Sequence, residues 1–467
     1  MANVGNVLVL CSDQHRHDFL GSAGHPFIRT PNLDRLAARG VRFTNAYTPS
    51  PICVPARASL ATGRYAHETG YWDNAMAYDG RVPSWGHALR KAGVNCVSVG
   101  KLHYRRREDD TGFEEQFRPM HVKDGIGMVW GSVRNPLPEE PRTDDMLGPV
   151  GAGTSAYNAY DMAVADDAVT WLQNPPDGPW CLFTSFVAPH FPLTVPEEYL
   201  ALYDDVPLPP LHPDRGYERH PWLARMYAFF LHDERLGSDD ARRLAIRAYC
   251  GLCSFLDAQL GRVLDALEAS GSMETTTILY TSDHGECLGN RGAWGKSVLY
   301  GDATRVPMIL AGPGIAQRVC ETPVNLIDVA PTLCAHFGAP WEGGQDLRRI
   351  AASPDDPGRV VFSEYHAVGA PSGAFMVADA NWAYHHYESY APELVDLRAD
   401  PGQAHNLAGG LRYAEEEARM KAALLAICDP GKVDAAACAA QASLVEAWGG
   451  RKAAMGAGPL GATPVPT

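Results

Sequence analysis

The chain reads as an α/β protein built on a large, mostly parallel sheet flanked by helices, with a smaller antiparallel sheet toward its C-terminus. Three observations point there. Short continuous apolar runs recur along the chain, and such runs suit strands covered on both faces. Helical patterns lie between them, and that alternation favours a parallel sheet. Four of the runs end in charged, amide or imidazole side chains, and open α/β sheets bind ligands beyond the carboxyl ends of their strands.

The first run, Val7-Leu8-Val9-Leu10, leads into Ser12-Asp13-Gln14. A helix over about 31–39 comes next, with Pro31 in its first turn, where a missing N–H costs nothing. The run 94–99 ends in Gly100-Lys101-Leu102-His103, and the run 180–187 ends in Ala188-Pro189-His190. A long helix over about 241–268 places Tyr249, Leu252, Leu256, Leu260, Val263 and Leu267 on one face. The run 276–281 ends in Ser282-Asp283-His284-Gly285-Glu286. A solvated loop is the ordinary reading of any one such end; four together read as a convergent polar edge.

Residues 105–160 are poorly periodic and rich in Gly, Pro, Asp and Glu, so they read as an insertion or lid near that edge. Residues 203–240, with a Pro-Leu-Pro-Pro run, read the same way. Near 350–358 the composition shifts to Ala-Ser-Pro-Asp-Asp-Pro-Gly. The expected division is an α/β domain at 1–355, a C-terminal α+β subdomain at 356–450, and a loose Gly/Ala/Pro-rich tail at 451–467. Short strands are expected around 360–362, 375–377, 382–387 and 393–397, then a helix over about 412–428.

A chain of 467 residues accommodates this plan. The formal net charge of −15, with no long basic run, argues against a nucleic-acid partner. Arg105-Arg106-Arg107 is followed at once by Glu108-Asp109-Asp110 and reads as a solvated face. No apolar stretch is long enough to span a membrane, and residues 1–11 lack a basic start and a small-residue cleavage site. Eleven cysteines without framework spacing suit a reducing cytoplasm. Cys250-x-x-Cys253 falls inside the long helical pattern and reads as buried thiols rather than a zinc site.

The polar edge carries groups suited to hydrolysis of a sulfuryl or phosphoryl ester. Asp13 and Asp283 are hard oxygen ligands for a divalent cation, and Gln14 adds a neutral oxygen. Such a metal offsets charge on a sulfuryl or phosphoryl group and activates a bound hydroxyl. Arg57 lies four residues after Cys53, on the same face if that segment is helical, and a helix N-terminus favours an anion beside residue 53. Lys101, His103, His190 and Lys296 offer cationic contacts or general acids.

The run Cys53-Val54-Pro55-Ala56-Arg57, continuing to Thr62-Gly63, fits C-x-P-x-R-x-x-x-x-T-G. It resembles the maturation motif of the type I, formylglycine-dependent sulfatases of the alkaline phosphatase superfamily. Gly63-Arg64-Tyr65 and Trp72-Asp73-Asn74 look like the family's continuation, and Gly100-Lys101-x-His103 is similar to the strand end beside its formylglycine. Thr281-Ser282-Asp283-His284-Gly285 resembles its second metal segment, and Trp294-x-Lys296 and Thr304-Arg305-Val306-Pro307 resemble the stretch after that segment. Glu393-Leu394-x-Asp396-Leu397, with Asp400-Pro401 and Asn406-Leu407, resembles its closing motif. The likeness covers roughly residues 4–410.

The resemblance implies an alkaline-phosphatase-like fold and conversion of Cys53 to formylglycine by a maturase. It implies one divalent metal on Asp13, Gln14, residue 53, Asp283 and His284, with Arg57, Lys101 and His103 near the formylglycine. Lys296 and His190 would face the leaving group, and Asn74 and Trp72 would line the substrate pocket. Asp13-Gln14 and Asp283-His284 depart from the paired Asp and Asp-Asn of many sulfatases and look like the choline-sulfatase and phosphonate-monoester-hydrolase branch. Calcium is the leading ion, and His284 leaves manganese open. The expected substrate is a small-molecule sulfate ester. A phosphonate monoester or phosphodiester using the same apparatus is the alternative, and a non-catalytic anion-binding relative is the third reading. A homo-oligomer is compatible with all three.

Overall fold

A computed structural model of the chain describes residues 5–139, 146–208, 211, 218–459 and 461–466. The strand Asn6–Asp13 lies inside the main sheet, between Thr276–Ser282 and Trp180–Pro189, and pairs with both in parallel. The sheet has eight strands among the described residues. Their order is Arg318–Cys320, Gly40–Phe43, Met308–Ala311, Thr276–Ser282, Asn6–Asp13, Trp180–Pro189, Asn95–Lys101 and Glu115–Met120. All share one direction except Met308–Ala311, which runs antiparallel to both neighbours.

The first strand shows why its sequence is continuously apolar. Side chains alternate across a strand with a period of two. Val7, Val9 and Cys11 enter one core cluster with Ala58, Leu89 and Leu333. Leu8 and Leu10 enter another with Val164, Leu172, Leu256 and Leu260. The helices Cys53–Thr62, Trp85–Lys91 and Val329–His336 thus cover one face, and Ala156–Gln173 and Asp239–Ala269 cover the other.

The expected helices form close to their expected bounds: Pro31–Ala37, Asp239–Ala269 and Ala414–Ile427. The long helix starts at Asp239 because the Ser238 side chain accepts the N–H of Ala241, a standard way to satisfy an orphan donor. The small antiparallel sheet has the order Val361–Tyr365, Ala374–Ala378, Trp382–Tyr387 and Glu393–Asp396. It is bolted to the larger body. Asn325 Nδ2 donates to the carbonyl of Phe362, and Glu364 accepts the backbone N–H of His67 at 3.0 Å.

Several expectations needed correction. The insertion at 105–160 contains the edge strand Glu115–Met120 and the start of the helix Ala156–Gln173; its residues 140–145 lie outside the described residues. The segment 203–240 contains the helices Pro221–Phe230 and His232–Leu236. Its residues 209–210, with half of the Pro-Leu-Pro-Pro run, and 212–217 lie outside the described residues. A further helix, Pro430–Ala447, starts at the cap Asp429 with Pro430 in its first turn. Its Ala-rich sequence has no strong apolar face to announce it.

The described residues of the tail are tied down rather than loose. Trp130 Nε1 donates to the carbonyl of Pro459 at 2.7 Å, Tyr157 Oη donates to the carbonyl of Thr463, and Arg451 donates to the carbonyl of Pro136 at 2.6 Å. Ala462 and Val465 pack against the core. Removing residues 456–467 strands two buried donors, at about 1–3 kcal/mol each. The shortened chain should melt several degrees lower; an unchanged melting temperature would contradict this account of the tail.

Candidate active site

Cys53 is the first residue of the helix Cys53–Thr62. Ile52 before it is extended and provides no side-chain cap, so the helix begins at the polar edge with its first-turn N–H groups uncapped by the preceding residue. Asn74 Oδ1 accepts the N–H of Val54 at 3.4 Å and steadies that turn. Cys53 Sγ sits 3.1 Å from His284 Nε2, 3.1 Å from Lys296 Nζ and 3.6 Å from Asp13 Oδ1.

Arg57, one turn on, is buried beneath the thiol. Its Nε donates to Asp283 Oδ2 at 2.8 Å, and its Nη2 reaches Asp13 Oδ2 at 3.4 Å. Its Nη1 donates to the carbonyl of Lys101 at 2.8 Å and to Ser185 Oγ at 2.9 Å. Lys101 Nζ lies 2.5 Å from Asp13 Oδ2, an ion pair without hydrogen-bond alignment. Each carboxylate is therefore split. The Oδ2 atoms face buried cations, while the Oδ1 atoms turn to His284 Nε2, at 3.5 Å from Asp13 and 3.6 Å from Asp283.

Asp283 Oδ1 also accepts the backbone N–H groups of Gln14 and His284, at 3.2 and 2.9 Å. Gln14 adopts φ 71°, which bends the chain sharply at the end of the first strand. Its Nε2 donates to Glu286, and its Oε1 accepts from Lys296 at 2.8 Å. Glu286 Oε1 in turn accepts the N–H groups of Leu288 and Gly295. That carboxylate therefore locks the amide orientation of Gln14 and ties it to the loop bearing Lys296.

Burial and charge set the protonation states. Burial raises Asp13, but the ammonium groups of Lys101 and Lys296 outweigh it and hold its carboxyl well below the usual range. Burial, and then the neighbouring Asp13, push Asp283 up. His284 and His190 fall well below their ordinary pKa, first through burial and then through Lys296. His103 does so through burial, Lys101 and Arg57, so all three rings are neutral at pH 7. Nδ1 of His284 donates to the carbonyl of Gly285 at 3.0 Å, which leaves Nε2 as a bare lone pair facing Cys53. Nδ1 of His190 donates to the carbonyl of Phe191 at 2.5 Å, and its Nε2 lies 4.0 Å from Asp13 Oδ1. His103 sits at φ 54°, and neither of its ring nitrogens has a hydrogen-bond partner among the described residues.

The ligand atoms of Asp13, Cys53, Asp283 and His284 lie within 4.8 Å of one another, all buried. Two inward carboxylate oxygens, a bare imidazole nitrogen and the adjoining Gln14 Oε1 make a donor set that fits a divalent cation. Cys250 and Cys253 are buried core thiols of the long helix and belong to no such group among the described residues.

Of the twelve residues singled out in the sequence, Asp13, Gln14, Cys53, Arg57, Lys101, His190, Asp283, His284 and Lys296 are linked by these contacts. His103 shares their charges without a bond. Asn74 lines a cavity that also reaches Lys296. Trp72 lies outside the linked set, edge-on against His366 with ring centroids 5.2 Å apart. Sequence reading missed Glu286, Ser185 and Asp161. Glu286 carried a signal, standing three residues after Asp283 in the same polar run. Asp161 accepts the N–H groups of Val187 and Ala188, at 2.8 and 2.7 Å, and so fixes the strand end that presents His190.

A sequence model of the Sulfatase family matches residues 5–339. The choline-sulfatase of Rhizobium meliloti (strain 1021) is 31% identical over 440 residues, covering 89% of this chain and 85% of the relative. The protein BT4656, solved in complex with its substrate D-glucosamine-2-N,6-O-disulfate, superposes with a TM-score of 0.74 at 21% identity, covering 91% of this chain and 97% of that one. The phosphonate monoester hydrolase of Silicibacter pomeroyi superposes with a TM-score of 0.72 at 25% identity, covering 90% and 94%.

Arg57 is the shared counter-ion of Asp13 and Asp283. Breaking a buried pair by removing one partner costs about 3–5 kcal/mol. Arg57→Met should therefore lower the melting temperature sharply, and an added divalent cation should restore part of the loss. A variant that melts like the parent chain would contradict the assignment.

Proposed function

The chain belongs to the sulfatase family and is a sulfuric ester hydrolase, and we propose that it cleaves a small-molecule sulfate monoester with formylglycine at position 53 beside one divalent cation. The observation that carries this reading is the placement of Cys53. It opens a helix against two carboxylates, a bare imidazole nitrogen and an ammonium group. Burial, and then Asp13, push its thiol up to about 11. An unmodified Cys53 is thus a protonated, feeble nucleophile at pH 7. The hydrated aldehyde that a maturase would make from it supplies two hydroxyls, one to attack sulfur and one to release sulfate.

A divalent cation on Asp13, Gln14, residue 53, Asp283 and His284 would withdraw charge from the sulfuryl oxygens and ease deprotonation of the attacking hydroxyl. Calcium is the first choice for the carboxylate and amide oxygens, with manganese the alternative suited to His284. The chain's own groups do the rest. Arg57 and Lys101 hold the outer carboxylate oxygens, so the inner ones keep their aim. Lys101 and His103 face the nucleophile's surroundings. Burial draws the Lys296 pKa down, but its neighbours outweigh it, the carboxylates of Asp13 and Asp283 among them, so the ammonium keeps its proton. Lys296 is accordingly the foremost donor to the departing oxygen, with His190 beside Asp13 as the second.

Eleven cysteines without a disulfide suit a reducing cytoplasm, where we place the protein. No described helix is long and apolar enough to cross a membrane. The phosphonate monoester reading is kept as the alternative, because a tetrahedral phosphoryl group suits the same charges and the likeness to the Silicibacter pomeroyi hydrolase is as extensive. Parallel assays of aryl sulfates and aryl phosphonate monoesters separate the two.

Co-expression with a formylglycine-generating maturase should convert Cys53, as seen by peptide mass spectrometry, and Cys53→Ala should abolish turnover. Full turnover by Cys53→Ala would sink the assignment. Loss of a general acid hurts poor leaving groups most. Lys296→Ala should therefore slow an alkyl sulfate far more than an activated aryl sulfate, whereas Lys101→Ala should slow both alike. Equal losses across a leaving-group series would remove Lys296 from the donor role.

A further inference from the structure

Glu286 is buried, and among the described residues it forms no direct ion pair. A carboxylate buried in this way is costly unless hydrogen bonds satisfy it. Its Oε1 accepts the N–H of Leu288 at 2.7 Å and that of Gly295 at 2.6 Å, and its Oε2 accepts from Nε2 of Gln14. The carbonyl oxygen of an amide side chain would serve the two backbone donors equally well. Only the contact to Gln14 calls for a group that accepts and never donates.

The Gln14 amide stands between Glu286 and Lys296. A carboxylate accepts and an ammonium donates, so both neighbours force the same orientation: Nε2 toward Glu286, Oε1 toward Lys296 at 2.8 Å. The same ammonium lies 3.1 Å from Cys53 Sγ. The backbone leaves Gln14 no other place to go. It sits at φ 71°, its N–H donates to Asp283 Oδ1 at 3.2 Å, and its carbonyl accepts from Tyr249 Oη at 2.7 Å. Lys296 hangs from the same carboxylate. Gly295 and Ser297 on either side of it adopt left-handed φ values of 80° and 79°. The carbonyl of Gly295 accepts the N–H of Cys287 at 2.7 Å, and the N–H of Ser297 donates to the carbonyl of Pro51 at 3.0 Å. The turn that presents Lys296 is thus closed by Glu286 on one side and by the chain leading into Cys53 on the other.

We propose that Glu286 is a positioning residue for the reaction: it fixes which end of the Gln14 amide meets the cation, and it holds Lys296 against that amide and residue 53. The part concerning Lys296 rests on the hydrolase reading above, whereas the part concerning Gln14 stands on metal binding alone. Glu286→Gln isolates the effect. It keeps an oxygen for the N–H groups of Leu288 and Gly295 but turns an NH2 group on Gln14. Two amide NH2 groups then abut, and if Gln14 turns over to relieve them, its own NH2 faces Lys296 and the cation.

The test has a binding arm and a turnover arm. In the first, the full chain with Cys53 unconverted is titrated with Mn2+, and the free ion is read by electron paramagnetic resonance. Glu286→Gln should weaken Mn2+ about 10–100-fold, the scale on which a metal site responds to loss of a ligand's outer hydrogen-bond partner. Gln14→Glu sets two carboxylates face to face and should melt below the parent chain. The exchange variant Gln14→Glu/Glu286→Gln rebuilds the pair with donor and acceptor swapped. It should regain both the Mn2+ affinity and the melting temperature, whereas independent losses would add. In the second arm, matured Glu286→Gln should show a lower kcat with KM little changed, and should slow an alkyl sulfate more than an activated aryl sulfate, because Lys296 has lost its acceptor. Parental Mn2+ affinity in Glu286→Gln, equal losses across the leaving-group series, or an exchange variant no better than Glu286→Gln would each overturn the proposal. Mn2+ affinity lost and regained as expected, with no ester cleaved by the parent enzyme, would leave the role of Glu286 at Gln14 standing and remove the hydrolase reading.

Discussion

The structure depends on how two buried carboxylates from separate strand ends are kept apart in charge while being held together in space. Asp13 and Asp283 are fully buried, and two like charges at such a distance cannot both ionise without compensation. Arg57 bridges them on their outer oxygens, and Lys101 backs Asp13. With the histidines neutral, Arg57, Lys101 and Lys296 face the carboxylates of Asp13, Asp283 and the adjoining Glu286, three charges of each sign. A divalent cation on the same donor set would tip that balance and make the pocket a place where an anion is wanted. A resting core would be built the other way, since apolar replacements for buried ion pairs are often as stable.

The fold accounts for the convergence. Parallel strands deliver their carboxyl ends to one edge, so residues far apart in sequence meet without long excursions. The helix carrying Cys53 and Arg57 packs against that sheet with all ten of its residues buried. A 3.6-residue period then stacks the reacting position directly above its counter-ion. At the ends of two strands the backbone turns through the left-handed region, at Gln14 and at His103. Neither residue is glycine, and sparsely populated conformations of this kind persist when the surroundings over-determine them. Around Gln14 those surroundings are the Glu286 carboxylate and the Asp283 side chain.

Much of this was legible in the sequence because a strand covered on both faces must be apolar throughout, and a polar residue at its end then stands out. Asp13, Lys101, His190 and Asp283 all show themselves that way. The spacing from Cys53 to Arg57 is equally readable. Short strands such as Gly40–Phe43 and Arg318–Cys320 were not, since three or four residues carry no period. Ser185 is hidden inside an apolar run and marks nothing until Arg57 is seen donating to it. The assignment of one carboxylate oxygen to a cation and the other to the site is three-dimensional and has no sequence signature. The tail misled because Gly, Ala and Pro suggest freedom, whereas its backbone carbonyls serve Trp130 and Tyr157. The edge-on contact of Trp72 with His366 joins residues far apart in sequence and likewise has no sequence signature.

A diffraction experiment on the manganese-loaded protein tests the central arrangement most directly, because anomalous scattering locates the ion without reference to turnover. The expected result is one peak bounded by the inner oxygens of Asp13 and Asp283, Nε2 of His284 and the side chain of residue 53. A cluster without a peak, or a peak at Cys250 and Cys253, would contradict the account.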